Sequence, residues 1–110
     1  KEKGWVITDG GWMALSRDRG TASQAVDYGF GAVCDVNGKI LGNLYVKLAN
    51  QEHGVIVNRT GEALSPEDFP VGTKLRILPN HACAMAAQHH SYYVVNDEKV
   101  IAEWPRFCGW

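Results

Sequence analysis

Short apolar runs separated by turn residues dominate this chain, the pattern of an antiparallel β domain and not of long helices. Candidate strands fall at residues 5–8, 29–35, 44–48, 54–58, 74–78, 92–95 and 99–104. Asn37-Gly38 between apolar flanks is a strong hairpin signal, and Asn96-Asp97-Glu98 predicts a second hairpin near the end. Leu44, Val46 and Leu48 alternate with polar neighbours, so one face of that strand should be half buried. Residues 12–16 read as a short strand or one turn of helix. Residues 16–24 are polar, with Arg17, Asp18, Arg19 and Gly20, and form a loop long enough to be functional. Ser65-Pro66-Glu67-Asp68 predicts a capped helical turn, and the alanine-rich run from Ala82 to Ala87 predicts a short helix. The expected fold is mostly β: a small antiparallel β-barrel or sandwich domain with one or two short helices, a single domain over residues 1–110.

Composition changes this picture little. The chain has 110 residues and a net charge of −1, so nothing marks a binder of nucleic acid or of anionic membrane. No apolar run approaches the roughly 20 residues that span a bilayer. Three cysteines are an odd number, which argues against a disulfide framework and for a reducing, cytoplasmic compartment. The chain starts abruptly at Lys1, without a methionine, and reads as a piece of a longer protein.

The densest chemistry lies in Pro79-Asn80-His81-Ala82-Cys83. In an extended segment, side chains two positions apart share a side, so one imidazole and one thiolate can reach one metal ion. In a helix they diverge by about 200°. Pro79 disfavours helix just before it, and Asn80 can cap a helix after it, which leaves His81 at or before the first turn. Two ligands fit a catalytic metal with open positions better than a closed structural zinc site. The competing reading is a cysteine used as a small hydrophobe. His89 and His90 are further donors, whereas Cys34 and Cys108 are isolated.

Gln51-Glu52-His53-Gly54 offers an acid/base pair beside a glycine, or only a polar connecting loop. Asp9-Gly10-Gly11-Trp12 reads as a place where backbone approaches something closely, or as a simple turn. Trp5, Trp12, Trp104 and Trp110 are core or interface aromatics. Arg17, Arg19 and Arg106 either bind a carboxylate or phosphate or make structural pairs. No phosphate-cradling glycine loop or nucleophile elbow is present.

Four segments together carry a resemblance. They are Asp9-Gly10-Gly11-Trp12-Met13-Ala14-Leu15-Ser16-Arg17-Asp18, Gln51-Glu52-His53-Gly54, Leu78-Pro79-Asn80-His81-Ala82-Cys83, and Trp104-Pro105-Arg106-Phe107-Cys108-Gly109-Trp110. In this order they resemble the C-terminal domain of the metal-activated, pyridoxal-phosphate-dependent D-serine dehydratase and D-threonine aldolase family, built on the alanine-racemase-type fold. The resemblance implies a β domain following an α/β barrel that holds pyridoxal phosphate (PLP). That barrel lies outside residues 1–110, and Lys1, Lys3, Lys39, Lys47, Lys74 and Lys99 do not sit in the family's cofactor-lysine setting. This chain alone should therefore be inactive.

By the same resemblance, His81 and Cys83 match the family's metal ligands. Gln51, Glu52, His53 and Asp9 match motif positions of unassigned catalytic role. Met85 stands where a threonine is expected, which implies a missing or replaced polar contact. A cysteine as second ligand is closer to the dehydratase branch, since several aldolases resemble this but use aspartate. Imidazole with thiolate favours Zn²⁺, and an open coordination sphere admits Mn²⁺ or Co²⁺. The implied function is a lyase on D-3-hydroxy amino acids, with the metal activating the substrate β-hydroxyl and the cofactor acting as electron sink. Dehydration is preferred to retro-aldol cleavage. The implied partners are the chain's own barrel domain and a second subunit of a homodimer. Two other readings differ in class: a free-standing β-barrel binding module, and a structural zinc module built from His81, Cys83 and one of His89 or His90.

Overall fold

The computed structural model describes residues 3–107. Seven strands and two short helices are present among them: β1 Val6–Thr8, α1 Trp12–Leu15, β2 Gly31–Cys34, β3 Ile40–Ala49, β4 Gly54–Asn58, β5 Arg76–Pro79, α2 Ala82–Ala86, β6 Ser91–Asn96 and β7 Lys99–Pro105. All strand pairs are antiparallel. The first five strands form one sheet in the order β1-β4-β3-β2-β5, and β6 and β7 form a separate hairpin.

The expected barrel does not close. Strands β1 and β5 are the two edges of the five-stranded sheet and do not pair with each other. Between β1 and the segment leading into β5 lies a cleft of about 730 Å³, lined by Val6, Ile7, Phe69, Val71, Leu75 and Ile77 among others. Residues 66–69 form turns and no helix, so Ser65-Pro66-Glu67-Asp68 caps a turn only. The Ser65 hydroxyl accepts from the Glu67 N–H at 3.4 Å, and the chain turns away at Phe69 before a helical turn completes.

The main buried cluster lies on one face of the sheet, and Cys34, Val55 and Val57, which alternate with its members along β2 and β4, are buried on the other. Val6, Ile56 and Val46 stand side by side across β1, β4 and β3, while Val33 pairs with Ile77 across β2 and β5. Leu15 from α1 completes the buried cluster, and Met85 from α2 packs against it with Phe30, Leu44 and Leu75. Met85 thus has an apolar role in place of the expected threonine. The β3 alternation holds for Leu44 and Val46 but fails at Leu48, which is exposed. The register shifts between Val46 and Leu48, and the extra residue of this bulge reverses the facing of the rest of the strand. At the first hairpin Gly38 adopts φ +85°, a conformation that costs glycine little, and Asp35 receives the turn N–H groups of Asn37 and Lys39.

Candidate functional site

Helix α1 is a single turn, too short to be stable by itself. Other segments satisfy its ends. The N–H groups of Trp12 and Met13 donate to the carbonyls of Asn50 and Gln51 at 2.8 and 3.0 Å. At its other end the Trp12 carbonyl accepts from the Gln88 side chain at 3.1 Å and the Ala14 carbonyl accepts from His89 Nε2 at 3.0 Å. Gly11 makes the first contact possible. A β-carbon there would lie 2.3 Å from the Asn50 carbonyl oxygen and 2.5 Å from the His53 nitrogen. The close-approach reading of Asp9-Gly10-Gly11 therefore holds.

Helix α2 follows Pro79 and Asn80, but Asn80 does not cap it, because its side chain is taken up by Thr21 and Gly29. His81 is its N-cap, with φ −128° and ψ 89°, and makes no side-chain cap hydrogen bond. Cys83 is the second residue of the helix and is an exposed free thiol. It lies on the rim of a groove of about 650 Å³ lined mainly by Pro79, Met85, Ala86, Tyr92 and Tyr93. The far end of α2 is held by Arg106, whose Nη1 donates to the Ala86 carbonyl at 2.6 Å and whose N–H donates to the His90 carbonyl at 2.8 Å. Described residues of all four motifs thus lie against one or other of the two helices, the last through Arg106.

The loop at residues 17–29 lies beside the start of α2. The chain enters it through Ser16, which is buried and held at φ 72° and ψ 168°, a region nearly restricted to glycine. Asp27 organises the loop: its carboxylate pairs with Arg19 and accepts from Thr21 Oγ1 at 3.2 Å and the Gly29 N–H at 2.8 Å. The Gly29 N–H holds the Asp27 carboxyl below the ordinary carboxylate value, helped by Arg19 and Thr21 and partly offset by burial. Asn80 Nδ2 donates to Thr21 Oγ1 at 3.0 Å and to the Gly29 carbonyl at 2.7 Å, which fastens the loop to the residue before His81. Asp18, on the same loop, accepts from His81 Nδ1.

The side chains of Asp9, Gln51, Glu52 and His53 are exposed and make no hydrogen bond among the described residues. The backbone of the Gln51 segment supports α1, and Asp9 lies at the mouth of the cleft beside β1. Among the described residues no three of His, Cys, Asp and Glu gather as a metal cage. A closed structural zinc site from His81, Cys83 and His89 or His90 is therefore not formed; His89 is bonded to Ala14 instead. Arg19 and Arg106 act structurally, and Arg17 lies over the Trp12 ring. Cys108 and Trp110 lie outside the described residues. Sequence reading missed the pairing of Asp18 with His81 and the hub at Asp27. The first links residues 63 apart in the chain, whereas the second is built within the loop, whose polar composition was its only signal. No helix among the described residues is long and apolar enough to cross a membrane.

Residues 1–95 match the family described as "Putative serine dehydratase domain". The chain belongs to this family. It is 49% identical over 111 residues to D-threo-3-hydroxyaspartate dehydratase of Delftia sp. (strain HT23), covering 99% of this chain and 29% of that protein. It is 31% identical over 110 residues to D-serine dehydratase of Schizosaccharomyces pombe, covering 99% of this chain and 24% of the relative. The chain thus spans less than a third of the length of these curated relatives. The solved Delftia enzyme superposes with a TM-score of 0.92 at 48% identity, over 99% of this chain and 29% of that one. An alanine-racemase-like protein from Idiomarina loihiensis gives a TM-score of 0.88 at 51% identity, over 99% and 29%. Two variants of D-threo-3-hydroxyaspartate dehydratase also superpose at 0.92 and 47% identity. One replaces a cysteine by alanine and is in the metal-free form; the other replaces a histidine two positions earlier.

Proposed function

We propose that this chain is the metal-carrying domain of a PLP-dependent lyase that dehydrates D-3-hydroxy amino acids. The observation that carries this reading is the placement of His81 and Cys83 across the start of α2, two positions apart and both exposed. The metal-free variant of D-threo-3-hydroxyaspartate dehydratase lacks a cysteine, and the histidine altered in its companion precedes that cysteine by the same spacing. The donor set fits an open site. The Cys83 thiol is exposed, and His81 Nδ1 is engaged by Asp18, which leaves Nε2 as the ring's free donor. Imidazole and thiolate together favour Zn²⁺, with Mn²⁺ or Co²⁺ admitted by the open coordination.

When bound, the metal supplies a Lewis acid for the substrate β-hydroxyl and PLP, held outside this chain, supplies an electron sink. The chain's own residues hold the geometry. His81 and Cys83 present one nitrogen and one sulfur beside the apolar groove. Asp9, Glu52 and His53 are the candidates for proton transfer and Gln51 for hydrogen bonding to substrate, since their side chains are not committed to internal hydrogen bonds. The apolar side chains exposed on β6 and β7 face the barrel domain or a second subunit of a homodimer.

A 3-hydroxyaspartate substrate fits the 49% relative, and D-serine is the alternative drawn from the relatives near 30%. The test is a product assay on the intact enzyme with D-threo-3-hydroxyaspartate, D-serine and D-threonine, with and without chelator. Chelator-sensitive release of ammonia and a 2-oxo acid supports dehydration. Glycine with an aldehyde overturns it in favour of retro-aldol cleavage.

A further inference from the structure

Asp18 and His81 are 63 residues apart in sequence, yet the Asp18 carboxylate receives the N–H of His81 Nδ1. Their side chains are 42% and 45% exposed, so the pair adds little to folding stability. The geometry around it is nevertheless closely held. The Asp18 N–H donates to Ser16 Oγ at 3.2 Å, Arg19 is committed to Asp27, and Asn80 ties the residue before His81 to the same loop. Arg17 lies over Trp12, so neither arginine flanking Asp18 competes with His81 for its carboxylate. A site worth little to folding but fixed from three sides points to an orienting role.

We infer that Asp18 is the positioning residue for His81: it holds the Nδ1–H tautomer and the ring orientation, so that the bare Nε2 is presented to the metal. A carboxylate on the far nitrogen of a metal-bound imidazole also raises the ligand's basicity. Asp18 itself does not touch the metal. It acts through His81, and the inference rests on the proposed metal site.

The experiment uses the intact polypeptide stripped of metal, as wild type, Asp18→Ala, Asp18→Asn and Cys83→Ala. Zn²⁺ affinity is measured by competition with a chromophoric chelator, and the His81 tautomer of the metal-free protein is read from long-range ¹H–¹⁵N spectra with labelled histidine. Asp18→Ala should weaken Zn²⁺ binding by about 10- to 100-fold. Asp18→Asn, which keeps an acceptor oxygen without the charge, should fall between it and wild type. Wild-type His81 should carry its proton on Nδ1, and Asp18→Ala should shift it toward Nε2. A role confined to folding would lower the melting temperature without moving the tautomer. If Cys83→Ala weakens Zn²⁺ binding but Asp18→Ala stays within twofold of wild type, the inference fails and the metal reading stands. If both stay within twofold, the metal reading fails and takes the inference with it. If Asp18→Ala does not fold, Asp18→Asn decides by the same two readouts, and unchanged affinity with an unchanged tautomer overturns the inference.

Discussion

The five-stranded sheet and the β6–β7 hairpin use apolar residues in opposite ways. In the sheet, Val33, Val46 and Ile56 are 0–1% exposed. In the hairpin, Tyr93, Ile101 and Trp104 are 61–64% exposed, although their sequence is as apolar. The sheet therefore carries the stability of these residues, and the α2–hairpin end carries donors and apolar surface that the domain does not itself cover. Large exposed apolar patches mark contact surfaces. Stability and candidate chemistry are thus separable by mutation.

The largest expected effect is in the sheet. Ile56→Ala removes a fully buried side chain from the cluster with Leu15, Val33 and Val46, and should cost about 2–5 kcal/mol in denaturant unfolding of the intact protein. Against a typical stability of about 5–15 kcal/mol this is severe. The next effect belongs to the other region. Cys83→Ala or His81→Ala should abolish tight Zn²⁺ binding in a chelator competition, while the melting temperature of the metal-free protein moves by less than about 2 °C. A large loss of stability in the metal-free Cys83→Ala protein would erase the proposed division.

A smaller effect lies at the join. Asp27 has its pKa lowered in the folded chain below the ordinary 3.8, so its contribution is present above that value and is lost as pH falls through the lowered one. Asp27→Asn should lower the melting temperature at neutral pH and flatten its fall as pH drops below the ordinary 3.8. The side chain is about one-third exposed, so added salt should shrink the difference. Smallest of all, Trp104→Ala should leave amide exchange protection of Val33, Val46 and Ile56 unchanged, while weakening association of the intact protein's subunits or domains in sedimentation. Loss of protection in the sheet would show that the hairpin supports the core after all.

Much of this was legible along the chain. Strand β4 falls where its apolar run predicts, Asn37-Gly38 makes its turn, and Pro79-Asn80 places His81 ahead of α2. These are local matters, set by side-chain period and by the backbone limits of proline, asparagine and glycine. The family was visible through its four motifs. The bulge that exposes Leu48 was not, because a single inserted residue reverses facing without changing composition. Nor was the open sheet, since closure depends on whether β1 and β5 pair, and these lie about 70 residues apart. The convergence of Gly11 on the Asn50 turn, the fastening of Asn80 to the Thr21–Gly29 loop and the Asp18–His81 contact arise only when distant segments are folded together. Sequence alone determined which donors the chain carries and in what local conformation. Tertiary structure decided which carboxylate faces which imidazole, because contacts between distant segments arise from packing and leave no mark in the local pattern.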